Sequence, residues 1–458
     1  MKQKTTQSAR KRSGILSIAT LLGCGMASGQ PAGTLDATFG TNGIVQTNFG
    51  AGMNVTPLNA FEQPTGDIVV IGSFTTPGSA ASSFGLVRYA ADGQRDMAFG
   101  NKGITITTLS PQDSSRAVAY AVQPNGAILI GGTISTFTVG STSSAFGVAR
   151  YTPNGVLDGT FGEGGIVTAS THFEEDTLST LLLQPNGQIV VSGFVAGQGN
   201  NQAGPSNIMI RYNTDGTLDA TFGTNGIALS PPITSGILGS ALALLSNGNY
   251  LAVANNGQAN VVANEYSSTG AVVSTNVVLP AGVTITAVSN ISTILFQPNG
   301  NFIVSANVPP PASAAPAGFT LGKHATFAEL AGFTPAVAPT FTTTSFGFEP
   351  ITASNITQVN ESQGADLVFS NNAQTQIVMG GDVTGSGGGA PTSFALARFN
   401  QSNGSFVLDP TFGNAGKVVT AIGAGGVGGL MVQSNGNIVA VGTGTGLTTL
   451  VLARYLGN

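Results

Sequence analysis

After residue 33 the chain consists largely of short segments in which apolar residues alternate with polar or small ones, and clusters of Gly, Asn, Asp, Ser and Pro separate these segments. One stretch shows the plan, with candidate strands at residues 117–122, 127–131, 146–151 and 165–168. Alternation with a period of two is typical of half-buried β-strands. The Asn-Gly pairs that follow the first and third segments supply the positive φ angles that tight hairpins require. We therefore predict four short antiparallel strands in each unit of this kind.

The same motifs return along the chain at intervals of 52 to 75 residues, most of them 60 or 61. The motif Leu-Asp-x-Thr-Phe-Gly begins at Leu35, Leu157, Leu218 and Leu408, with a looser copy at Arg95. A turn motif close to Gln-Pro-Asn-Gly ends at residues 66, 126, 187, 248, 300 and 436, and Thr375 takes its last place in one further unit. Repeats of this length point to propellers or related arrays, and four antiparallel strands make one propeller blade. The sequence thus predicts an all-β, seven-bladed β-propeller over residues 33–458.

The two ends of this region complement each other. The last repeat ends at Tyr455 without a Leu-Asp-x-Thr-Phe-Gly strand, whereas residues 35–47 carry that strand before the first full repeat. We therefore expect the N-terminal strand to join the last blade. Closure of this kind would leave no exposed sheet edge where the chain begins and ends.

These motifs resemble the delta-60 repeat family, a bacterial β-propeller family with the signature Leu-Asp-x-Thr-Phe-Gly-x-x-Gly. The resemblance covers nearly all of residues 33–458. It is strong in repeats one, two, three, six and seven and degraded around residues 236–280 and 284–350, which lack the signature. What the resemblance implies is the fold, and it brings no defined activity.

Arginine and aspartate recur together within the repeat. The pairs are Arg88 with Asp96, Arg150 with Asp158, Arg211 with Asp219, Arg398 with Asp409 and, through closure, Arg454 with Asp36. Alternation places Arg88 on the same strand face as Phe84 and Leu86, and an unpaired charge there would cost several kcal/mol. We interpret the pairs as structural; a ring of charges serving a ligand is the alternative. In the fourth and fifth repeats Glu265 and Lys323 stand at the arginine position. The phenylalanines of the motif are expected to fill the core between blades: Phe39, Phe99, Phe161, Phe222 and Phe412.

The first 29 residues have the three parts of a secretory signal peptide. Five cations within residues 1–13 precede an apolar run at 14–22 and then small residues up to Gly29. The run is too short to span a membrane. Cys24 follows Leu-Leu-Gly, which resembles a bacterial lipobox, so Cys24 is a candidate for lipidation; cleavage near Gly29 without lipidation is the other outcome. Either way we expect a protein that is secreted or held at the cell-envelope surface of a bacterium.

Composition narrows the range of partners. Only 8% of the 458 residues are charged, and removal of the leader leaves 10 basic and 20 acidic residues, a net charge of −10. A negative chain disfavours nucleic acid as a partner. Cys24 is the only cysteine, so the mature region has no disulfide available to it. No further apolar segment is long enough for a transmembrane span.

The residues that carry common catalytic chemistry are sparse. His172 and His324 fall in different repeats, tryptophan is absent, and no Gly-x-Ser-x-Gly motif occurs. Residues 213–219 place oxygen-bearing side chains at alternate positions, but they fit a hairpin turn better than a calcium loop. We therefore expect no enzymatic activity, no cofactor and no metal site.

The segments between second and third strands are the most variable part of the repeat. Residues 135–144, 196–206, 308–317 and 384–393 are rich in Ser, Thr, Gly, Asn and Pro and nearly free of charge. Loops of repeat proteins are where function usually lies. The sequence thus favours a monomeric, non-enzymatic interaction or scaffold module that binds an unknown protein partner through one loop face. The alternative is a ligand- or sugar-binding propeller, with or without hydrolytic activity, whose site lies at the central channel.

Overall fold

The computed structural model describes residues 30–457 apart from 80, 111–112, 139–140, 170–174, 197–205, 232–239, 246, 256–260, 279–289, 297–301, 309–323, 332–339, 347–361, 372, 374, 385–390, 403–404, 424 and 445–446. Cys24 and the expected signal peptide at residues 1–29 lie outside this part of the chain. No helix among the described residues is long and apolar enough to cross a membrane.

The described residues form strands almost throughout, as the alternating pattern predicts. The strands up to the end of the third repeat are β1 (Ile44–Asn48), β2 (Asn54–Glu62), β3 (Ile68–Thr75), β4 (Ser82–Tyr89), β5 (Ile104–Thr107), β6 (Ser114–Val122), β7 (Ile128–Thr138), β8 (Ser141–Tyr151), β9 (Ile166–Ala169), β10 (Glu175–Leu183), β11 (Ile189–Ala196), β12 (Ser206–Tyr212) and β13 (Ile227–Leu229). The strands that follow are β14 (Ser240–Leu244), β15 (Tyr250–Asn255), β16 (Val261–Tyr266), β17 (Val272–Val278), β18 (Asn290–Phe296), β19 (Phe302–Val308), β20 (His324–Ala331), β21 (Thr340–Phe346), β22 (Ser362–Phe369), β23 (Gln376–Thr384), β24 (Pro391–Ser402), β25 (Ser405–Leu408), β26 (Lys417–Ala421), β27 (Val427–Val432), β28 (Ile438–Thr443) and β29 (Thr449–Tyr455).

Each repeat folds into its own antiparallel sheet, so the architecture is all-β and propeller-like. Sheets 1 to 5 take four consecutive strands each, namely β2–β5, β6–β9, β10–β13, β14–β17 and β18–β21. Sheet 6 contains β22–β25, and β26 pairs with the N-terminal half of β24, from Ser393 to Ala397. Sheet 7 has the order β1-β29-β28-β27.

The N-terminal strand therefore lies in the sheet of the last repeat. β1 pairs with β29 from Ile44 opposite Ala453 to Asn48 opposite Thr449, and Leu35 bridges to Tyr455. Sheet 7 is thus built from both ends of the described chain.

The hairpin between β7 and β8 differs from the sequence-based expectation. Residues 135–144 were expected to form a long loop, but the ladder continues to the pair Thr138 and Ser141. The segment is rich in threonine, and this β-branched residue fits an extended backbone. The expectation of a long loop is wrong here because low charge and small residues suit an extended hairpin as well as a loop.

The core lies between neighbouring sheets rather than within one. One cluster combines Phe39 and Val441 of the sheet-7 repeat with Val70 and Val87 of sheet 1. Another combines Phe161 and Leu129 with Ile189 and Ile210 across sheets 2 and 3. A single sheet exposes both of its faces, so burial of this kind requires each sheet to pack on the next.

Candidate functional site

The five arginine–aspartate pairs are ion pairs of closely similar geometry. The nitrogen–oxygen distances are 2.6 Å for Arg88–Asp96, 2.8 Å for Arg150–Asp158, 2.7 Å for Arg211–Asp219, 2.8 Å for Arg398–Asp409 and 2.9 Å for Arg454–Asp36. Burial varies around this shared geometry. Only 4% and 3% of the Arg398 and Asp409 side chains are exposed, against 11% and 25% for Arg88 and Asp96.

The local backbone explains why arginine and aspartate meet. In the second repeat the chain leaves β8 at Arg150, turns, and returns so that the Asp158 N–H donates to the Arg150 carbonyl at 2.9 Å. The Thr160 N–H and hydroxyl both donate to Asp158 Oδ1, at 3.0 and 2.7 Å. The other carboxylate oxygen, Oδ2, accepts from Arg150 Nε at 2.8 Å. The threonine of the motif therefore fixes the aspartate in the orientation that receives the guanidinium.

Hydrogen bonding keeps these carboxylates ionised. Thr221 and, beyond it, Arg211 lower the pKa of Asp219 to about 2 against the opposing effect of burial. Thr160 likewise lowers the pKa of Asp158. In the first repeat Ala98 replaces the threonine, and its N–H is the main cause that lowers the pKa of Asp96. Hydrogen bonds to the charged form favour that form.

Each guanidinium also lies over the phenylalanine ring of its own motif. The distances from the guanidinium carbon to the ring centroid run from 4.4 Å for Arg454 over Phe39 to 4.8 Å for Arg88 over Phe99. A cation over an aromatic face at this distance is attracted by the ring quadrupole. The ring itself is fully buried, so it fills the core and also supports the cation.

The same guanidinium reaches forward to the next sheet. Arg150 donates to the Thr214 carbonyl at 2.6 Å and Arg211 to the Ser268 carbonyl at 2.6 Å, in both cases on the turn before the outer strand of the following repeat. Arg454 of the last repeat donates to the Ala91 carbonyl of the first at 2.6 Å. The pair is therefore a link between repeats, since one charged group ties its own turn to the turn of the next sheet.

A backbone hydrogen bond follows each of these links. The glycine that ends the motif donates to the next repeat, as Gly162 does to the Asp215 carbonyl and Gly223 to the Thr269 carbonyl, both at 2.7 Å. In sheet 7 no turn joins the last two strands, because β29 and β1 come from opposite ends of the described chain. There Arg398 donates to the Gly457 carbonyl, and Gly413 donates to the Ala32 carbonyl at 2.8 Å. The two acceptors that one turn provides elsewhere come here from opposite ends of the described chain.

The fourth repeat has no such link and carries a contact between a carboxylate and an amide instead. Glu265 at the arginine position is 6% exposed, and its Oε1 accepts from Asn249 Nδ2 at 2.6 Å. Lys323 of the fifth repeat lies outside the described residues. The side chains of His172 and His324 are also outside the part that the structure describes.

A second cluster lies on the first strands of four sheets, β2, β6, β22 and β27. Asn59 of β2 donates to Asp366 Oδ2 of β22 at 3.0 Å, and the N–H of Leu430 in β27 donates to the same oxygen at 2.8 Å. The rings of Phe61 and Tyr120 stack nearby with centroids 6.0 Å apart. Burial, and then the charge of Asp366, raise the pKa of Tyr120. The cluster therefore combines one carboxylate, one amide and two stacked aromatic rings.

Metal chemistry has little support in the described region. Among the residues that the structure describes, no group of three or more His, Cys, Asp or Glu side chains could hold a metal ion. Asp215, in the segment compared with a calcium loop, instead accepts from the N–H and hydroxyl of Thr217 at 2.9 and 2.7 Å. That geometry is an ordinary side-chain-capped turn.

Three segments of the chain, residues 63–99, 123–161 and 184–222, match a family model described as a domain of unknown function (DUF5122) beta-propeller. These three segments are similar to the repeats of that family. Each matched segment starts at the hairpin turn after the first strand of its sheet and ends at the buried phenylalanine of the motif. No curated protein matches the chain.

Several solved structures are similar in fold at very low identity. A catalytically inactive virginiamycin B lyase from Staphylococcus aureus, solved with quinupristin, is 11% identical with a TM-score of 0.43 and covers 90% of this chain and 99% of its own. A protein of unknown function from Dyadobacter fermentans is 11% identical with a TM-score of 0.44, over 76% and 96% of the two chains. The Nup133 beta-propeller domain of Vanderwaltozyma polyspora is 7% identical with a TM-score of 0.44, over 90% and 97%. Likeness this weak carries no argument about activity.

Three features of the site escaped sequence reasoning. The threonine that orients the aspartate is visible in four of the five copies of the motif, but its role needs the folded turn. The carbonyl acceptors on the next repeat are backbone atoms, and no residue type identifies them. The Asn59–Asp366 contact joins residues 307 positions apart, which no local pattern indicates.

Proposed function

We propose that the chain forms a closed, seven-bladed propeller that acts as a non-enzymatic interaction scaffold, secreted or anchored at the surface of a bacterial envelope. The observation that carries this proposal is the commitment of the repeated charged groups to links between sheets. All five guanidinium groups are held by a carboxylate, a phenyl ring and a carbonyl of the next repeat, and this leaves them committed to the frame. Such links suit a rigid frame that presents loops.

The contacts between sheets support a closed ring. The first strand of each sheet packs on the preceding sheet, and the series returns to its start because β2 contacts β27, β28 and β29. With sheet 7 completed by β1, the proposed ring has seven blades. The link from Arg454 to Ala91 joins the last blade to the first.

The loops between second and third strands supply the interaction surface in this proposal. In antiparallel sheets successive hairpin connections lie at alternate ends of the sheet, so these loops lie at the end opposite to the Gln-Pro-Asn-Gly turns. Their sequences are uncharged and rich in small residues, hydroxyl side chains and proline, which suits recognition that does not depend on charge.

Site-specific photo-crosslinking in the producing bacterium tests this function. A photoreactive amino acid would be placed at Gln198 or Gly387 in two of the loops, and at Asn125 or Asn186 in turns at the opposite end as matched controls. We expect a discrete crosslinked product from the loop positions and none from the turns. Equal crosslinking from both ends, or none from either, would contradict the proposal. Intact mass of the protein from medium and membrane fractions distinguishes a chain that begins near Gln30 from one lipidated at Cys24.

A ligand site on the first strands is the second candidate, and the stacked pair of Phe61 and Tyr120 beside Asp366 favours it. Aromatic faces with nearby polar groups are common in sites for small polar ligands. This candidate predicts that the purified chain binds neutral oligosaccharides on an array and that Tyr120→Phe weakens that binding. Absence of binding would remove it and would leave the crosslinking result unaffected.

A further inference from the structure

The proposed ring closes where sheet 7 meets sheet 1, and the first strands at this junction depart from the repeat. A β-bulge lies near the middle of β2, β6, β10, β22 and β27. The residue directly after the bulge is Ala119 in β6 and Thr180 in β10. In the three sheets around the closing junction it is Asn59 of β2, Asp366 of β22 and Gly429 of β27. An amide, a carboxylate and a glycine therefore share one repeat position in three sheets that meet.

These three residues complement one another. The Asn59 amide of sheet 1 donates to Asp366 Oδ2 of sheet 6 at 3.0 Å, although sheet 7 lies between these sheets in the ring order. The Leu430 N–H of sheet 7 donates to the same oxygen at 2.8 Å. A Cβ atom at Gly429 would lie only 2.7 Å from Asn59 Cγ, closer than carbon atoms pack. Glycine at this position therefore leaves the space that the Asn59 side chain occupies on its way to Asp366.

A second contact at the same junction involves another pair of departures. Glu62 ends β2, and its Oε2 accepts from the Ser434 N–H, in the turn after β27, at 2.7 Å. Its Oε1 accepts from Gln433 Nε2 at 3.1 Å. The last residue of the first strand is apolar in the other repeats: Val122, Leu183, Leu244, Phe296, Phe369 and Val432. The place of Ser434 is taken in four repeats by proline, which has no N–H to donate: Pro64, Pro124, Pro185 and Pro298.

The course of the chain shows what these contacts hold together. β1 leads directly into β2, so a ring that opened within sheet 7 would carry β1 and sheet 1 away from β27, β28 and β29. The pairing of β1 with β29 crosses this line among the outer strands. The contacts of Asn59 and Glu62 cross it among the first strands. Hydrogen bonds are directional, whereas apolar burial is not, so these contacts also fix the alignment of β2 with β27.

We propose that Asn59, Glu62, Asp366 and Ser434 form a closure clamp, a polar device that keeps the ring shut where sheet 7 meets sheet 1. Asn59 ties sheet 1 to sheet 6, and Glu62 ties it to the turn of sheet 7. Asp366 is 9% exposed, and loss of a donor to a buried carboxylate is costly. The clamp presupposes the closed ring proposed above and is independent of any binding partner.

Hydrogen exchange of the full mature chain, measured by mass spectrometry, tests the clamp. Peptides that cover β2 and β27 report on the clamped junction, and a peptide that covers β10 reports on the junction of sheets 2 and 3. Glu62→Val and Ser434→Pro introduce residues that other repeats carry, so both variants should fold. Each removes one side of a clamp contact, and we expect exchange in β2 and β27 to rise at least about tenfold while β10 is unchanged.

A swap of the other pair tests direct contact between its two side chains. Asn59→Asp places a second carboxylate against Asp366 and should raise exchange in the same two strands. Asn59→Asp combined with Asp366→Asn again provides one carboxylate and one amide, so exchange should return toward the wild-type rate. Thr180→Ala is the matched control, because it changes the equivalent position in sheet 3, and it should leave β2 and β27 unchanged.

The outcomes separate the clamp from the ring. Protection of β2 and β27 in the wild-type chain that persists in Glu62→Val, Ser434→Pro and Asn59→Asp would overturn the clamp and leave the closed ring in place. An equal rise in the Thr180→Ala control, or no recovery in the swapped pair, would also overturn it. Fast exchange of both strands in the wild-type chain would contradict the closed ring itself, and the clamp with it.

Discussion

The third and fourth repeats use the same strand position in opposite ways. Arg211 of β12 holds Asp219, lies over Phe222 and donates to Ser268 of the next sheet. Glu265 of β16 occupies the equivalent place, and the hydrogen bond that it accepts among the described residues comes from Asn249 of its own repeat. The fourth repeat therefore receives a link from the third but makes no equivalent arginine link of its own. The comparison teaches that the link is directional and that arginine, aspartate and the outer-strand motif are kept or lost as a set.

The largest expected effect comes from removing the link that the fourth repeat receives. Arg211→Met leaves the Asp219 carboxylate buried without its cation and the Ser268 carbonyl without its donor. Loss of one partner of a buried pair typically costs about 3–5 kcal/mol, so we expect a decrease of that size in the free energy of unfolding. Urea titration monitored by tyrosine fluorescence measures it.

Arg116→Met is the matched control for this variant, because Arg116 is exposed on β6. Surface substitutions usually change stability by no more than about 0.5 kcal/mol. Equal effects of the two substitutions would show that Arg211 does not link the sheets.

Acid should weaken the same link by a smaller amount. The pKa of Asp219 is about 2 in the folded chain, below the ordinary value of 3.8. A lowered pKa stabilises the fold above the unfolded value and ceases to do so as pH falls through the folded value. We therefore expect the free energy of unfolding to fall between pH 4 and pH 2. Asp219→Asn should make that fall shallower, and an unchanged slope in this variant would assign the acid sensitivity to other carboxylates.

The smallest effect is expected in the fourth repeat. Glu265→Gln keeps the oxygen that accepts from Asn249 and removes a buried charge, so the free energy of unfolding should change by less than about 1 kcal/mol. Glu265→Arg is the contrasting variant, since it places a guanidinium where no aspartate motif follows. We expect it to cost about 3 kcal/mol, as an uncompensated buried charge does. If Glu265→Arg were neutral, the arginine would not need its aspartate, and the idea of a linked set would fail.

Much of this architecture was accessible from sequence because it is repeated and local. Alternation predicted the strands, and the joint occurrence of Arg150 with Asp158 predicted an ion pair before its geometry was known. The hairpin through Thr138 was missed because threonine and serine serve loops and strands alike. The acceptors on neighbouring sheets were missed because they are carbonyl groups.

The pairing of the N-terminal strand β1 with β29 in sheet 7 has a consequence for the order of folding. Arg454 and its carboxylate partner Asp36 are 418 residues apart, so the last sheet acquires its outer strand only when the two distant parts of the chain meet. Closing so long a loop costs entropy that local contacts do not repay, and non-local pairing of this kind is slow. We expect the earlier sheets to form first during synthesis, and the pairing of β1 with β29 to form only after β29 has been made.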